Sequence, residues 1–175
     1  MSNTTSIFLA FSLVFLSFQL TAGIPEGSSP ENELRKKKIR RYYLVADHAK
    51  KYQGIRYVYG GSTPSGFDCS GFTAYVFNKF DIQLPRTAAE QGKTGKRVGK
   101  RRARPGDLIF FKGSDNKSRK IGHVGIVISK KGQPIEFVHA SSSKGIIISK
   151  LSEAYYDERY KKIRRFKSLR KKQII

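Results

Sequence analysis

Between Tyr57 and Phe72 the chain reads Y-V-Y-G-G-S-T-P-S-G-F-D-C-S-G-F, and no other stretch restricts the fold as tightly. An aromatic and apolar run (Ile55, Tyr57, Val58, Tyr59) halts at Gly60-Gly61, and a loop of small residues with one proline follows. Asp68-Cys69-Ser70 then opens a segment in which Phe72, Tyr75, Val76 and Phe80 recur at helical spacing, which puts Cys69 in the first turn of a helix. A helix N-terminus presents unpaired N–H groups and partial positive charge to the sulfur. That favours thiolate over thiol, and the thiolate is the nucleophile.

Cys69 is the chain's single cysteine. A lone cysteine is more often a small buried hydrophobe than a reactive group. Here it is flanked by polar Asp68 and Ser70 with glycines nearby, a poor setting for a packed position. Export adds to the argument, because an unpaired thiol outside the cytoplasm is a liability unless it is used. Export is expected from Ile7 to Leu20, almost wholly apolar and ending in Thr21-Ala22-Gly23, which has the length and ending of a signal peptide. The segment before it holds no Lys or Arg, which is off-pattern, and an uncleaved anchor is the alternative. A lipid anchor would need a cysteine just after the apolar stretch, so the protein is expected in the periplasm or outside the cell without one.

The 175 residues, 38 % hydrophobic, suffice for one ordinary core, which must hold by packing because no disulfide can form. The net charge of +22 implies attraction to polyanions. Export argues against nucleic acid, and no zinc-finger spacing, RNP-type motif or basic region joined to heptads is present. The basic ends are read as holding the protein near an anionic envelope surface.

Residues 24–46 are expected to be a linker and the start of a helix that spans Glu33 to Tyr52. After the helix that begins near Cys69, Thr87 and Glu90 have capping-box spacing for a short helix through Gln91. Lys93 to Arg104 reads as an exposed basic loop. Strands are expected at Leu108–Phe111, His123–Ser129, Ile135–Ala140 and Gly145–Ser149, and their short turns predict an antiparallel meander. Ala154 to Arg165 reads as a further helix, and Lys161 to Lys172 as a solvated basic stretch.

His123 opens one predicted strand and His139 lies on the next, so a suitable register brings them within a few ångströms. A cysteine nucleophile needs a base for the thiol proton and a third group to orient that base. Cys69, His123 and His139 suit those roles in that order. A histidine on a strand is more often structural, and a metal site is the competing use. One Cys and two His without an acidic partner at ligand spacing make that case weak, so no metal or organic cofactor is expected. His48, in the first helix, is left outside the site.

Taken together, the segment from Tyr57 to Phe72, L-P-R-T-A-A-E-Q, P-G-D-L-I-F-F, G-H-V-G-I-V-I and F-V-H-A-S-S-S-K-G-I-I-I-S-K-L resemble the NlpC-type cell-wall cysteine peptidase family. The F-V-H-A-S segment and the tyrosine-rich C-terminal helix are most like its Spr/MepS-type murein endopeptidases. The likeness runs from about Asp47 to Arg165. It implies a papain-like α+β fold in which the nucleophile helix packs on an antiparallel sheet. By position it makes Cys69 the nucleophile, His123 the base and His139 the orienting member. Tyr57 then matches a tyrosine that helps stabilise the tetrahedral intermediate. Asp68 and Ser70 match positions that contact the stem peptide in some relatives, and Arg86 is similar to a family arginine.

The expected organisation is thus a signal peptide at 1–23, the linker region at 24–46, a peptidase domain at 47–166 and a basic tail at 167–175. The expected activity is cleavage of an amide bond in peptidoglycan stem peptides or their cross-links, by a monomer. An acyltransferase or amidase using the same triad and a non-catalytic wall-binding module are the alternatives.

Overall fold

A computed structural model describes residues 29–113 and 119–166. The expected signal peptide and basic tail lie outside them.

Helix α1 (Pro30–Lys50) starts inside the region read as linker. Ser29 caps it by accepting from the Asn32 N–H, Pro30 occupies the first turn, and Glu31 and Glu33 face the helix's positive end. A two-residue hairpin, β1 (Ser62–Thr63) with β2 (Gly66–Phe67), precedes helix α2 (Cys69–Asn78). Asp68 caps α2, its carboxylate accepting from the Gly71 N–H at 2.6 Å. Helix α3 (Ala88–Gln91) carries the capping box expected from Thr87 and Glu90.

The main sheet contains β3 (Lys96–Val98), β4 (Leu108–Lys112), β5 (Ile121–Val127), β6 (Glu136–Ser141), β7 (Gly145–Lys150) and β8 (Tyr160–Arg165). Its spatial order is β3-β8-β4-β5-β6-β7, with every neighbouring pair antiparallel. The predicted meander is the β4 to β7 portion. Two expectations fail beside it. The supposed loop from Lys93 to Arg104 contains β3 and a 3₁₀ turn at Lys100–Arg102, although nearly all of it is exposed as expected. The helix expected over Ala154–Arg165 is only α4 (Ala154–Arg159); the chain then extends as β8 and inserts between β3 and β4.

The reason for the second error is tertiary. Asp107, fully buried at the foot of β4, accepts two short hydrogen bonds from Arg165, Nε to Oδ1 at 2.6 Å and Nη2 to Oδ2 at 2.7 Å. Arg164 donates to the carbonyls of Gly92 and Gly95. Arg164 and Arg165, charges that look solvated in sequence, are polar ties of an interior strand.

Strand alternation divides the core. On one face Leu108, Phe110, Val124, Ile126 and Val138 pack against Val45 and Ala49 of α1 and Phe72, Val76 and Phe77 of α2. On the other, Ile109, Phe111, Val127, Phe137 and Ile163 pack with Tyr156 of α4. One face therefore carries the helix bearing Cys69. The other carries a small aromatic layer closed by α4.

Candidate active site

Cys69 is the first residue of α2 and is half-buried. The glycines around it have a definite job. The Gly61 carbonyl accepts from the Asp68 N–H at 2.9 Å and lies so close to Gly71 that any Cβ there would collide with it. The G-G loop thus seats directly on the first turn of α2 and fixes the sulfur beside Tyr57.

The histidines arrive from the sheet. By alternation His123 shares its face with Val127, and His139 with Phe137, the face opposite the one on which α2 packs. Gly125 pairs directly with His139, so His123 is its diagonal neighbour. A Cβ at Gly125 would press on the Phe137 ring and on His139 Cβ, so glycine there makes room for the imidazole. The register of β4 and β5 shifts between Phe111 and Lys112: Phe111 faces His123 while Lys112 faces Ile121, leaving Gly122 as a bulged residue. Bulges re-aim the adjacent side chain. Here Cys69 reaches that bulge, with Sγ 3.9 Å from the carbonyl oxygen of Gly122, the residue before His123.

A cavity of about 210 Å³ is lined by Tyr57, Cys69, His123 and His139 together. His123 Nε2 lies 3.0 Å from His139 Nδ1, with the two rings nearly perpendicular. His139 is almost fully buried, and its Nε2 lies 3.1 Å from both Ser149 Oγ and Tyr156 Oη. Tyr156 is held in turn by edge and tilted contacts with Phe111 and Phe137. With Nε2 of His123 engaged, Nδ1 is the ring nitrogen left without a hydrogen-bond partner among the described residues.

Asp68, Ser70 and Arg86 form a second cluster beside the sulfur. Arg86 grips the Asp68 carboxylate with Nη2 to Oδ2 at 2.6 Å and Nη1 to Oδ1 at 3.2 Å, and also donates to Ser70 Oγ. The Asp68 and Ser70 side chains, both buried, are therefore occupied with one another and with the cap of α2. Arg86 is exposed along a second cavity of about 450 Å³, which also touches Tyr57, Tyr59, Cys69 and Gly122. The two cavities share Tyr57, Cys69 and Gly122 in their walls, so they flank Cys69 as two halves of a groove.

The electrostatics correct one expectation. Burial pushes the Cys69 thiol up and the Asp68 carboxylate adds to that, outweighing the backbone N–H groups of Val124, Ser70 and Cys69 itself. Burial also lowers His123 to about 4, and burial together with His123 lowers His139 to about 3. The unliganded site therefore holds a neutral thiol beside neutral imidazoles, where the helix N-terminus alone had favoured thiolate. Burial works to raise Asp68, but its bonds to Arg86, Gly71 and Ser70 outweigh this and hold it below its ordinary value. Among the described residues no cluster of three or more His, Cys, Asp or Glu is arranged to hold a metal ion.

Sequence reasoning missed Ser149, Tyr156 and Arg159, all of which touch this site or its histidines. Ser149 and Tyr156 lie inside stretches that carry the family likeness, but nothing in those stretches ties them to the histidines. They reach it only through the β6–β7 register and the packing of α4.

A cysteine-bearing helix on one face of an antiparallel sheet, with imidazoles from its strands lining the same cavity as the sulfur, is the papain-like α+β arrangement. The NlpC/P60 family profile matches residues 54–165, and the chain belongs to that family. It is 42 % identical over 123 residues to MepS of Escherichia coli, named a murein DD-endopeptidase and LD-carboxypeptidase, covering 69 % of this chain and 61 % of that protein. It is also 42 % identical over 127 residues to a gamma-DL-glutamyl hydrolase of Bacillus subtilis, covering 71 % of this chain and 29 % of that protein. The chain thus spans less than two thirds of the length of either relative. The crystal structure of an NlpC/P60 family protein from Bacillus cereus superposes with a TM-score of 0.62 at 30 % identity, covering 69 % of this chain and 38 % of that one.

Proposed function

We propose that this protein is a peptidoglycan hydrolase, a cysteine endopeptidase that cleaves an amide bond in murein stem peptides or their cross-links. The observation that carries the reading is the shared cavity: Cys69 and Tyr57 line it with His123, whose far nitrogen is held 3.0 Å from His139.

The chemistry follows from the neutral resting pair. As the sulfur attacks the scissile carbonyl carbon, the thiol proton passes to His123 Nδ1, and the imidazolium that forms is steadied through Nε2 by His139. Negative charge develops on the carbonyl oxygen, where the Tyr57 hydroxyl and the Cys69 backbone N–H serve as donors. When the C–N bond breaks, His123 gives its proton to the leaving amine. A water, deprotonated by the same nitrogen, then attacks the thioester, and the sulfur leaves and is reprotonated. Raised by burial, Cys69 and Asp68, Tyr57 stays protonated near neutrality and so remains able to donate.

Envelope material as substrate fits an exported protein, and the basic charge fits residence near an anionic polymer. Asp68, Ser70 and Arg86 are assigned to substrate contact; of these, Arg86 is the one with surface to offer, because the other two are buried in the α2 cap. The test is digestion of defined cross-linked and uncross-linked muropeptides by the wild type and by Cys69→Ser, with the new termini identified by mass spectrometry. New termini from the wild type alone are expected, and their identity names the bond, whether the cross-link or the glutamyl–diamino acid linkage. An unchanged muropeptide profile with the wild type refutes the reading.

A further inference from the structure

One arginine on the histidine side of the groove has no role in the chemistry above. Arg159, the last residue of α4, lines the same cavity as Cys69, His123 and His139. Its side chain is only 10 % exposed, yet Nε is buried without a hydrogen-bond partner among the described residues. Nη1 donates to the Tyr155 carbonyl at 3.3 Å, and the guanidinium lies 3.9 Å over the Tyr155 ring. Its nearest carboxylate is Glu158, 3.7 Å from Nη1 and itself 71 % exposed, a loose and well-solvated counter-ion.

A desolvated cation with a stranded donor and a weak counter-charge is costly to keep. Arg165 resolves this with a buried carboxylate of the fold, that of Asp107. Arg159 lines the groove instead. Stacking on Tyr155 fixes the plane of the guanidinium, and with Nη1 engaged and Nε buried, Nη2 is the donor left to meet a carboxylate in the groove. Lys112, also on the cavity wall, adds positive charge, while in the other half the Asp68 carboxylate is already paired with Arg86.

We propose that Arg159 binds a free carboxylate of the peptide substrate on the histidine side of Cys69, so that the enzyme selects acidic over amidated stem peptides. The inference rests on the peptidase reading and adds the feature of the substrate that the groove recognises. Its chemistry suits such peptides: a glutamate linked through its side chain keeps its α-carboxylate free beside the linkage, and a diamino acid cross-linked through its second amine keeps a carboxylate of its own. The competing account makes Arg159 a pillar that only supports Tyr155, in which case the protein is indifferent to the substrate's charge.

The experiment measures equilibrium binding of two stem peptides to the Cys69→Ala protein, identical except that one carries free carboxylates and the other the corresponding amides. Turnover of the same pair by the wild type is followed in parallel. Binding at least 10-fold tighter to the acidic peptide is expected, with Arg159→Met in the same background erasing the preference and Arg159→Lys keeping part of it. Equal binding of the two peptides overturns the proposal without any variant at position 159, so a poorly folded Arg159→Met does not shield it. So does a loss in Arg159→Met that is equal for both peptides in a protein that melts like the parent. A binding preference without turnover would refute the peptidase reading and leave this one standing, whereas turnover without a preference would do the reverse.

Discussion

The hydroxyls behind His139 make a quantitative prediction. For His123 Nδ1 to accept the thiol proton, the resting proton of that ring must sit on Nε2 and point to His139 Nδ1. His139 must then carry its own proton on Nε2, which faces Ser149 Oγ and Tyr156 Oη at 3.1 Å each. Either oxygen can accept that proton, so Ser149→Ala or Tyr156→Phe alone leaves one acceptor in place. Each is expected to reduce kcat by less than about 5-fold, the equivalent of one ordinary hydrogen bond at about 1 kcal/mol. Removing both strands a buried N–H, at about 1–3 kcal/mol. The alternative is that His139 moves its proton to Nδ1, which puts the wrong tautomer on His123. At 1.36 kcal/mol per decade the double variant should lose about 5- to 150-fold in kcat. The signature is the coupling: the double loss should clearly exceed the product of the single losses, because the two residues substitute for one another. The assay is kcat on a defined muropeptide, with a thermal melt of each variant to show that the aromatic layer survives. Losses that simply multiply, or a double variant within about 2-fold of wild type, would refute the tautomer argument.

Three further outcomes can be measured. Cys69→Ser should keep the wild-type melting temperature while muropeptide release falls below detection, and release at the wild-type rate would remove Cys69 from the mechanism. Arg165→Met leaves Asp107 buried without its cation and should cost about 3–5 kcal/mol in denaturant unfolding. Burial already raises Asp107, so in this variant the folded protein binds a proton more tightly than the unfolded chain. The deficit should accordingly be largest near neutral pH and shrink as pH falls towards 4, and a deficit independent of pH would argue against a stranded carboxylate. His123 and His139 are lowered to about 4 and about 3 from 6.5, so the unfolded chain takes up protons first. Wild-type stability should fall as pH drops from about 6.5 towards 4, by up to about 1.4 kcal/mol per pH unit for each ring. His139→Gln should flatten that slope, and an unchanged slope would mean that the buried imidazoles are not its source.

What the sequence determined was local, periodic or carried by motif. The spacing after Cys69 put it at the start of a helix because α2 buries one apolar stripe whose period is visible in the chain. Thr87 and Glu90 announced their own capping box, and the β4 to β7 meander was legible because its turns are short and its strands alternate. The family likeness, carried by ordered motifs from Tyr57 onward, was legible for the same reason. What the tertiary structure decided depends on partners distant in the chain. Tyr160–Arg165 reads as a charged helix or tail until the open side of β4 and the buried Asp107 claim it as a strand. The resting state of Cys69 could not be read from its place on a helix, because burial and Asp68 outweigh the helix N-terminus once the loop closes over it. Ser149, Tyr156 and Arg159 carry no sign of a tie to the site in their own neighbourhoods, although the first two lie in stretches that carry the family likeness. They join the site because a strand register and a six-residue helix bring them to His139 and the groove, and registers are settled by the packing of whole faces, not by the residues that end up in contact.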